Sequence, residues 1–418
     1  RLAVGDLDNA RIDLDGALTL APDLVPAIVQ RTWVDLRANE SQQALQRIEP
    51  TFGANQTDPM VATVYAAALR QTGARDRARE VLVKITSGPE GPAVAAAYLE
   101  LGRLERDLGD FKRAREAYER AIVGRGVDAK LEAALLFIDD NEPESGLETL
   151  NQLVGEAPND SRVLLEAIRA RNLNGDLKGA RELLARVEKI DTAPKWQVAR
   201  ERGRLAIKAS SFKAAADQLE AAIAANESDI ESHLLLIDAL TPLGDATRAN
   251  AVLEPAKKRF GDKAERFLIM GKVAFVDGRI DEARRFFEDA RKKLVANKAP
   301  PRRVAESLFG LGLCSGARGD IAAAEQFLLD GLALDRTNVD AWMALGDIAA
   351  AKPSRALDRY IKAARFNPEY ADVHYQIGRT AFEVGDRKLA KDELQKYLDL
   401  APNGDNVNDA KALLARIP

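Results

Sequence analysis

Residues 98–122 read YLELGRLERDLGDFKRAREAYERAI. An apolar run carries Gly102, a Gly-Asp pair follows at Gly109-Asp110, then Ala114, then the aromatic Tyr118. The same skeleton returns as NLNGDLKGARELLARV at 172–187, LTPLGDATRANAVLEPA at 240–256, VAFVDGRIDEARRFFEDA at 273–290 and AFEVGDRKLAKDELQKYL at 381–398. Aligned on the turn, the copies place Gly5, Asn39, Gly73, Gly109, Asn141, Gly175, Ser210, Gly244, Gly278, Gly319 and Gly385 in register. Their spacings are 34, 34, 36, 32, 34, 35, 34, 34 and 41, then 66. The last gap holds two repeats, because 342–368 supplies a copy whose turn is shortened to AAAKPS. A period near 34 residues marks a stacked helix–turn–helix array, in which each copy buries its apolar face only against its neighbours.

Five residues after each turn stands a small residue: Ala10, Ala44, Ala78, Ala114, Gly146, Ala180, Ala215, Ala249, Ala283, Ala324 and Ala390, with Ala356 in the shortened copy. Close helix contact requires it, since a larger side chain would push the second helix off the first. One helical turn on comes a large apolar knob: Leu14, Ile48, Leu82, Tyr118, Leu150, Leu184, Leu219, Leu253, Phe287, Leu328, Tyr360 and Leu394. On the first helix an aliphatic-Gly pair recurs at Leu101-Gly102, Leu311-Gly312, Leu345-Gly346 and Ile377-Gly378. Glycine inside a helix costs about 1 kcal/mol against alanine, so these positions imply a close neighbour. Pro158, Pro368 and Pro402 end second helices.

These copies resemble tetratricopeptide repeats. Trp342, Leu345, Gly346, Ala356, Tyr360, Ala363 and Pro368 match nearly the full pattern. The resemblance spans essentially the whole chain and departs at 25–57, where Thr32 replaces a small residue, and at Ala299-Pro300-Pro301. It implies an all-α, right-handed superhelical solenoid of about eleven repeats, with an N-terminal half-repeat and a C-terminal capping helix. The expected organisation is a truncated repeat at 1–24, an array over 25–296, an inserted loop at 297–304, a second array over 305–402 and a cap at 403–418. The loop is the expected bend between sub-arrays. By register, residue 1 falls within a first helix, so a longer array is expected.

Composition narrows the function. The 418 residues are 46% hydrophobic and only 6% aromatic, and no apolar run reaches the roughly 20 residues of a membrane-spanning helix. A net charge of −4 makes no general case for nucleic acid. The single cysteine, Cys314, excludes an intrachain disulfide framework and a cysteine-rich metal site. The two histidines, His233 and His374, fall at the first-helix slot that holds Tyr98, Phe267 or Trp342 in other copies, which is a packing slot. Neither matches Cys314 in repeat position, and no HExxH, CxxC or GxxxxGK[ST] occurs. The expectation is a chain that is not an enzyme and has neither cofactor nor metal, its compartment undetermined.

Surface remains. By the resemblance, first helices line a concave groove, and the lining positions are Leu99, Arg103, Arg106, Leu135, Arg169, Asn172, Arg200, Arg204, Lys208, Phe275, Phe309, Tyr375 and Phe382. The middle is basic and leucine-lined, while the C-terminal part turns acidic and aromatic with Asp238, Met343 and Asp347. Such a groove suits a protein segment with acidic and hydrophobic side chains, because arginine binds carboxylates through two N–H groups. The alternative is that these arginines pair with Glu100, Glu105, Glu166 or Glu201 on adjoining turns. On the binding reading, reversing Arg200, Arg204 and Lys208 leaves folding intact.

Residues 257–303 carry 15 basic against 7 acidic side chains, interleaved without an aromatic platform, which reads as a solvated helix face before a protein contact, and before nucleic acid. Scaffolds of the resembling family serve pilus and secretion assembly, cell polarity with a small GTPase, and polysaccharide export. The expected partners are proteins, an acidic and hydrophobic segment or a small globular protein such as a GTPase, with no nucleic acid, no membrane contact by this part of the chain, and self-association open. The second reading is a recruiting solenoid of a larger enzyme.

Overall fold

The computed structural model describes residues 7–88 and 91–417. All regular structure among them is helical, in 24 segments from Leu7–Leu20 to Val407–Leu414. No described helix is long and apolar enough to cross a membrane. Within each unit, helices adjacent in sequence pack against one another in pairs. The chain divides into two compact units, residues 1–137 and 138–418.

The Gly-Asp pair explains the turns. Asn39, Gly73, Gly109, Asn141, Gly175, Ser210, Gly244, Gly278, Gly319 and Gly385 all adopt positive φ, between 54° and 91°. The turn expected at Gly5 lies outside the described residues. At 109 the left-handed residue lets Asp110 N–H return to Glu105 O at 2.9 Å, closing the first helix. The next residue then opens the second helix: Asp110 accepts from Arg113 N at 3.1 Å, and Asp176, Asp245, Asp320 and Asp386 cap in the same way.

Every small residue of the register is buried. The knobs are buried too, except Leu14, Leu184 and Leu253, which are half-buried. Leu253 follows a break between helices Ala246–Ala251 and Leu253–Phe260. Pro255 causes it, because its ring opposes the carbonyl four residues earlier. Knob and helical glycine meet across the pair. A Cβ on Gly203 would stand 2.6 Å from Leu219 Cγ, one on Gly271 2.8 Å from Phe287 Cδ1, and one on Gly378 2.6 Å from Leu394 Cγ.

Residues 25–57 form an ordinary pair, Val25–Arg37 with Ser41–Ala54. Thr32 is tolerated because its hydroxyl donates to Ile28 O at 2.7 Å within its own helix. The inserted loop expected at 297–304 is instead a four-residue link. The extra residues lengthen the flanking helices, Ile280–Ala296 and Pro301–Ala317, to 17 residues each. Those helices pack directly together, so no bend opens there. Residues 111–139 run as one helical stretch, kinked where Arg125 takes φ −136° and ψ 37°. Val407–Leu414 caps the array: Val407, Ala410, Leu413, Leu414 and Ile417 cluster with Tyr375, Leu394 and Tyr397.

Candidate functional site

In the first unit, three successive first-helix faces form a charged ladder. Arg70 binds Glu100 at 2.7 Å and Asp107 at 2.7 Å. Arg103 spans Glu100 at 3.3 Å and Glu132 at 2.7 Å, and Arg106 joins Glu132 at 2.9 Å. Burial alone would raise the Glu100 carboxyl, but Arg70 and Arg103 hold it below the usual range. Leu99 is buried beside this ladder in the core with Tyr118 and Leu136, while Leu135 is half-buried.

In the second unit, side chains from several first helices converge on one network. Arg200 meets Asp229 at 3.1 Å and Glu201 at 3.1 Å. Arg204 meets Glu201 at 3.0 Å and Glu231 at 3.3 Å. Arg303 reaches Glu231 at 3.1 Å across 72 residues of chain and also holds Glu306 at 3.0 Å. Lys272 pairs with Asp238, and Arg302 with Asp335 at 3.0 Å. Arg169 meets Glu166 at 3.5 Å.

Enclosure and charge set the proton affinities. Burial would raise Glu231, yet Arg303, Arg204, Arg169 and Arg200 hold it well below the ordinary carboxylate range. Burial dominates at Glu306 despite Arg303 and Lys272, and its carboxyl is raised. Asp340 is raised by burial and by Asp238, against Lys208 and Lys272. Burial lowers Lys208 to about 8, against the pull of Asp340 and Asp335. Asp340 nonetheless remains exposed, and Glu231, Lys272 and Arg303 half-buried. The network is therefore reached by water yet closely surrounded by protein.

Arg200, Arg204 and Lys208 are not free charges: two have carboxylate partners and the third donates to Phe366 O at 3.1 Å. The pairing alternative holds for Arg103, Arg169, Arg200 and Arg204 with Glu100, Glu166 and Glu201. With those partners, reversing Arg200, Arg204 and Lys208 is expected to disturb folding rather than leave it intact. Leu99, Phe309 and Tyr375 lie in cores rather than on an open wall, because Phe309 packs on Gly331 and Tyr375 under the cap, its hydroxyl donating to Asp409 at 2.9 Å. Asn172 is buried as well, its amide nitrogen without an acceptor. Phe275 and Phe382 stay half-buried, the latter with Arg387 and Arg416 at 3.9 and 4.8 Å from its ring centre.

The sequence reading missed most of the acidic half of the network, Glu231, Glu306 and Asp340. Only Asp238 stood out in the sequence. Their signal was a carboxylate on the first helix of each basic copy's neighbour. The remaining chemistry candidates are structural. His233 is buried, its ring nitrogen 3.0 Å from Asp229 O, and His374 lies between Glu393 and Pro368 O. Cys314 is buried, which pushes its thiol up to about 11. Within 257–303, Arg259, Lys293 and Arg284 pair with Glu227, Asp262 and Glu288, as a solvated helix face does, whereas Lys272, Arg302 and Arg303 belong to the network.

Family models described as tetratricopeptide repeat match residues 95–122, 371–403 and 131–194. Over those residues the chain carries tetratricopeptide repeats, and proteins built from such repeats are generally protein-interaction scaffolds and typically non-catalytic. No curated protein matches it. Among solved structures, a chain from the crystal structure of the APC/C hetero-tetramer Cut9-Hcn1 is similar, with a TM-score of 0.43 and 13% identity, covering 100% of this chain and 94% of that one.

Proposed function

We propose that this chain is a non-enzymatic scaffold within a larger assembly, holding a protein segment against the charged inner face of residues 138–418. The observation that carries the reading is the wetted network of Arg169, Arg200, Arg204, Lys272 and Arg303 with Glu231, Glu306 and Asp238. Half-buried Arg169, Arg200 and Arg303 exchange an internal carboxylate for one supplied by the partner, while buried Arg204 keeps Glu201 and Glu231, so acidic side chains are recognised with little net loss of pairing. Phe275 and Phe382 offer half-buried aromatic surface for apolar side chains of the same segment. In the first unit, Arg103 and Arg106 with Leu135 form a second charged face of the same character.

The test is site-specific photo-crosslinking in the native cell. Benzoylphenylalanine replaces Phe275, on the inner face, or Val295, which is 59% exposed on helix Ile280–Ala296. The scaffold reading expects a discrete protein adduct from position 275 and not from 295. Adducts from 295 alone would move the binding surface elsewhere.

A further inference from the structure

The second unit touches itself a second time, far along the chain. Asn141 donates through Nδ2 to Ala333 O at 3.1 Å and accepts from Arg336 N–H at 3.0 Å. Glu144 receives Arg336 and, at 2.8 Å, Arg365. Arg181 grips Glu369 with both arms, one at 2.7 Å. Lys208 donates to Phe366 O at 3.1 Å, and Asn367 Nδ2 returns to Lys208 O at 3.1 Å. A Cβ on Gly175 would stand 2.5 Å from Arg365 O. The left-handed turns at 141 and 175 thus receive the inter-repeat loops at 333–338 and 365–369.

This seam differs in chemistry from the joints between successive repeats. Those joints bury apolar knobs in continuous cores. The seam is made of ion pairs whose side chains remain 31–62% exposed, together with hydrogen bonds to backbone. Exposed ion pairs each contribute little and weaken in salt. Because a solenoid is stabilised by nearest neighbours, parting the seam leaves each repeat's own core in place. The seam is therefore the weakest joint of the unit. Lys208 belongs to both seam and inner network, and its charge faces Asp335 and Asp340.

Resting on the scaffold reading, we infer that the seam is a salt-sensitive latch: closed, it walls off the charged inner face, and opened, it admits the partner segment. The test measures distances by double electron–electron resonance with nitroxides at Glu148→Cys and Ile361→Cys. Cys314 is buried and stays unlabelled. A Glu148→Cys/Lys178→Cys pair in adjoining repeats serves as the control. The latch predicts one distance at low salt, and a second, longer population toward ~1 M NaCl, where the Debye length falls to about 3 Å. Glu144→Gln with Arg181→Gln brings that transition to at least about threefold lower salt, since each removes exposed pairs. The control distance stays fixed. One short distance at every salt concentration, in wild type and variant alike, overturns the proposal.

Photo-crosslinking from position 275 separates the two readings. An adduct several-fold stronger in the Glu144→Gln/Arg181→Gln chain supports the latch. Equal adducts with an open seam sink the latch and leave the scaffold standing. No adduct from the inner face in either chain sinks the scaffold, and the latch with it.

Discussion

The ring of Tyr118 fills the space that a side chain at Gly102 would need: a Cβ there would stand 2.5 Å from Tyr118 Cδ1. Glycine and knob lie sixteen residues apart, and the relation repeats at Gly203 with Leu219, Gly271 with Phe287, Gly312 with Leu328 and Gly378 with Leu394. Each of these repeats is thereby closed by one contact between its own two helices.

Gly102→Ala should cost about 1–3 kcal/mol by overpacking. Tyr118→Leu in the same chain should recover part of that loss, because the two positions share one contact. Urea denaturation of the four-member cycle measures the coupling, and additive losses would mean that the ring moves aside. Ala114→Leu, at a fully buried position of the same pair, belongs to the same cost range.

Ser210 holds φ at 54°, where most copies place glycine. Ser210→Gly should stabilise the second unit by about 1 kcal/mol, the cost of left-handed backbone for a residue with a Cβ, while Ser210→Val should destabilise it. Native-state hydrogen exchange across helices Lys195–Lys208 and Phe212–Ala225 reads both. Equal protection in all three chains would count against strain at this turn.

Arg204 lies between Glu201 and Glu231, with its side chain 11% exposed. Arg204→Glu should cost about 3–5 kcal/mol, since it leaves enclosed carboxylates without their cation. Hydrogen exchange in helix Ile230–Leu240 should rise with it. Unchanged denaturation would restore the simpler view of Arg204 as a charge free for a partner.

Glu100 makes a pH-dependent contribution of known sign. Burial raises its carboxyl, but Arg70 and Arg103 hold it below the ordinary 4.5. A depressed folded-state pKa stabilises above the unfolded value and loses that stabilisation as pH falls through the folded one. Glu100→Gln should therefore destabilise the first unit by about 3 kcal/mol at pH 7. The gap to wild type should shrink as the pH drops below ~4.5, the ordinary glutamate range. A gap constant from pH 7 to pH 3 would show that the charge on Glu100 contributes nothing.

What the sequence made legible was local. Turn register, small residues and knobs follow from contacts within one repeat, so a left-handed Asn39, Asn141 or Ser210 aligns with the glycines on spacing alone. Pro255 carries an equally local signal: it breaks the helix at Leu253, which makes that residue a poorer knob than its register implies. The inserted residues at 297–304 read as a loop because two prolines interrupt them, yet Pro301 stands at the start of a helix, where its missing N–H has no helical partner to lose. The network and the seam were beyond reach for a different reason. Arg303 finds Glu231 across 72 residues, and Asn141 finds Ala333 across 192, so both depend on how tightly the second unit winds. A 34-residue period does not set that winding.

The seam also acts as a gauge of length. Asn141 with Ala333, Asn141 with Arg336, Glu144 with Arg336, and Arg181 with Glu369 stand 192, 195, 192 and 188 residues apart. Duplicating one repeat between them would leave every local core intact but slide each loop one turn along, presenting Arg336 to Lys178, another cation, in place of Glu144. Solenoids ordinarily tolerate such gains, because no repeat senses the total. In this chain the number of repeats between residues 141 and 369 is counted by the contact that closes them.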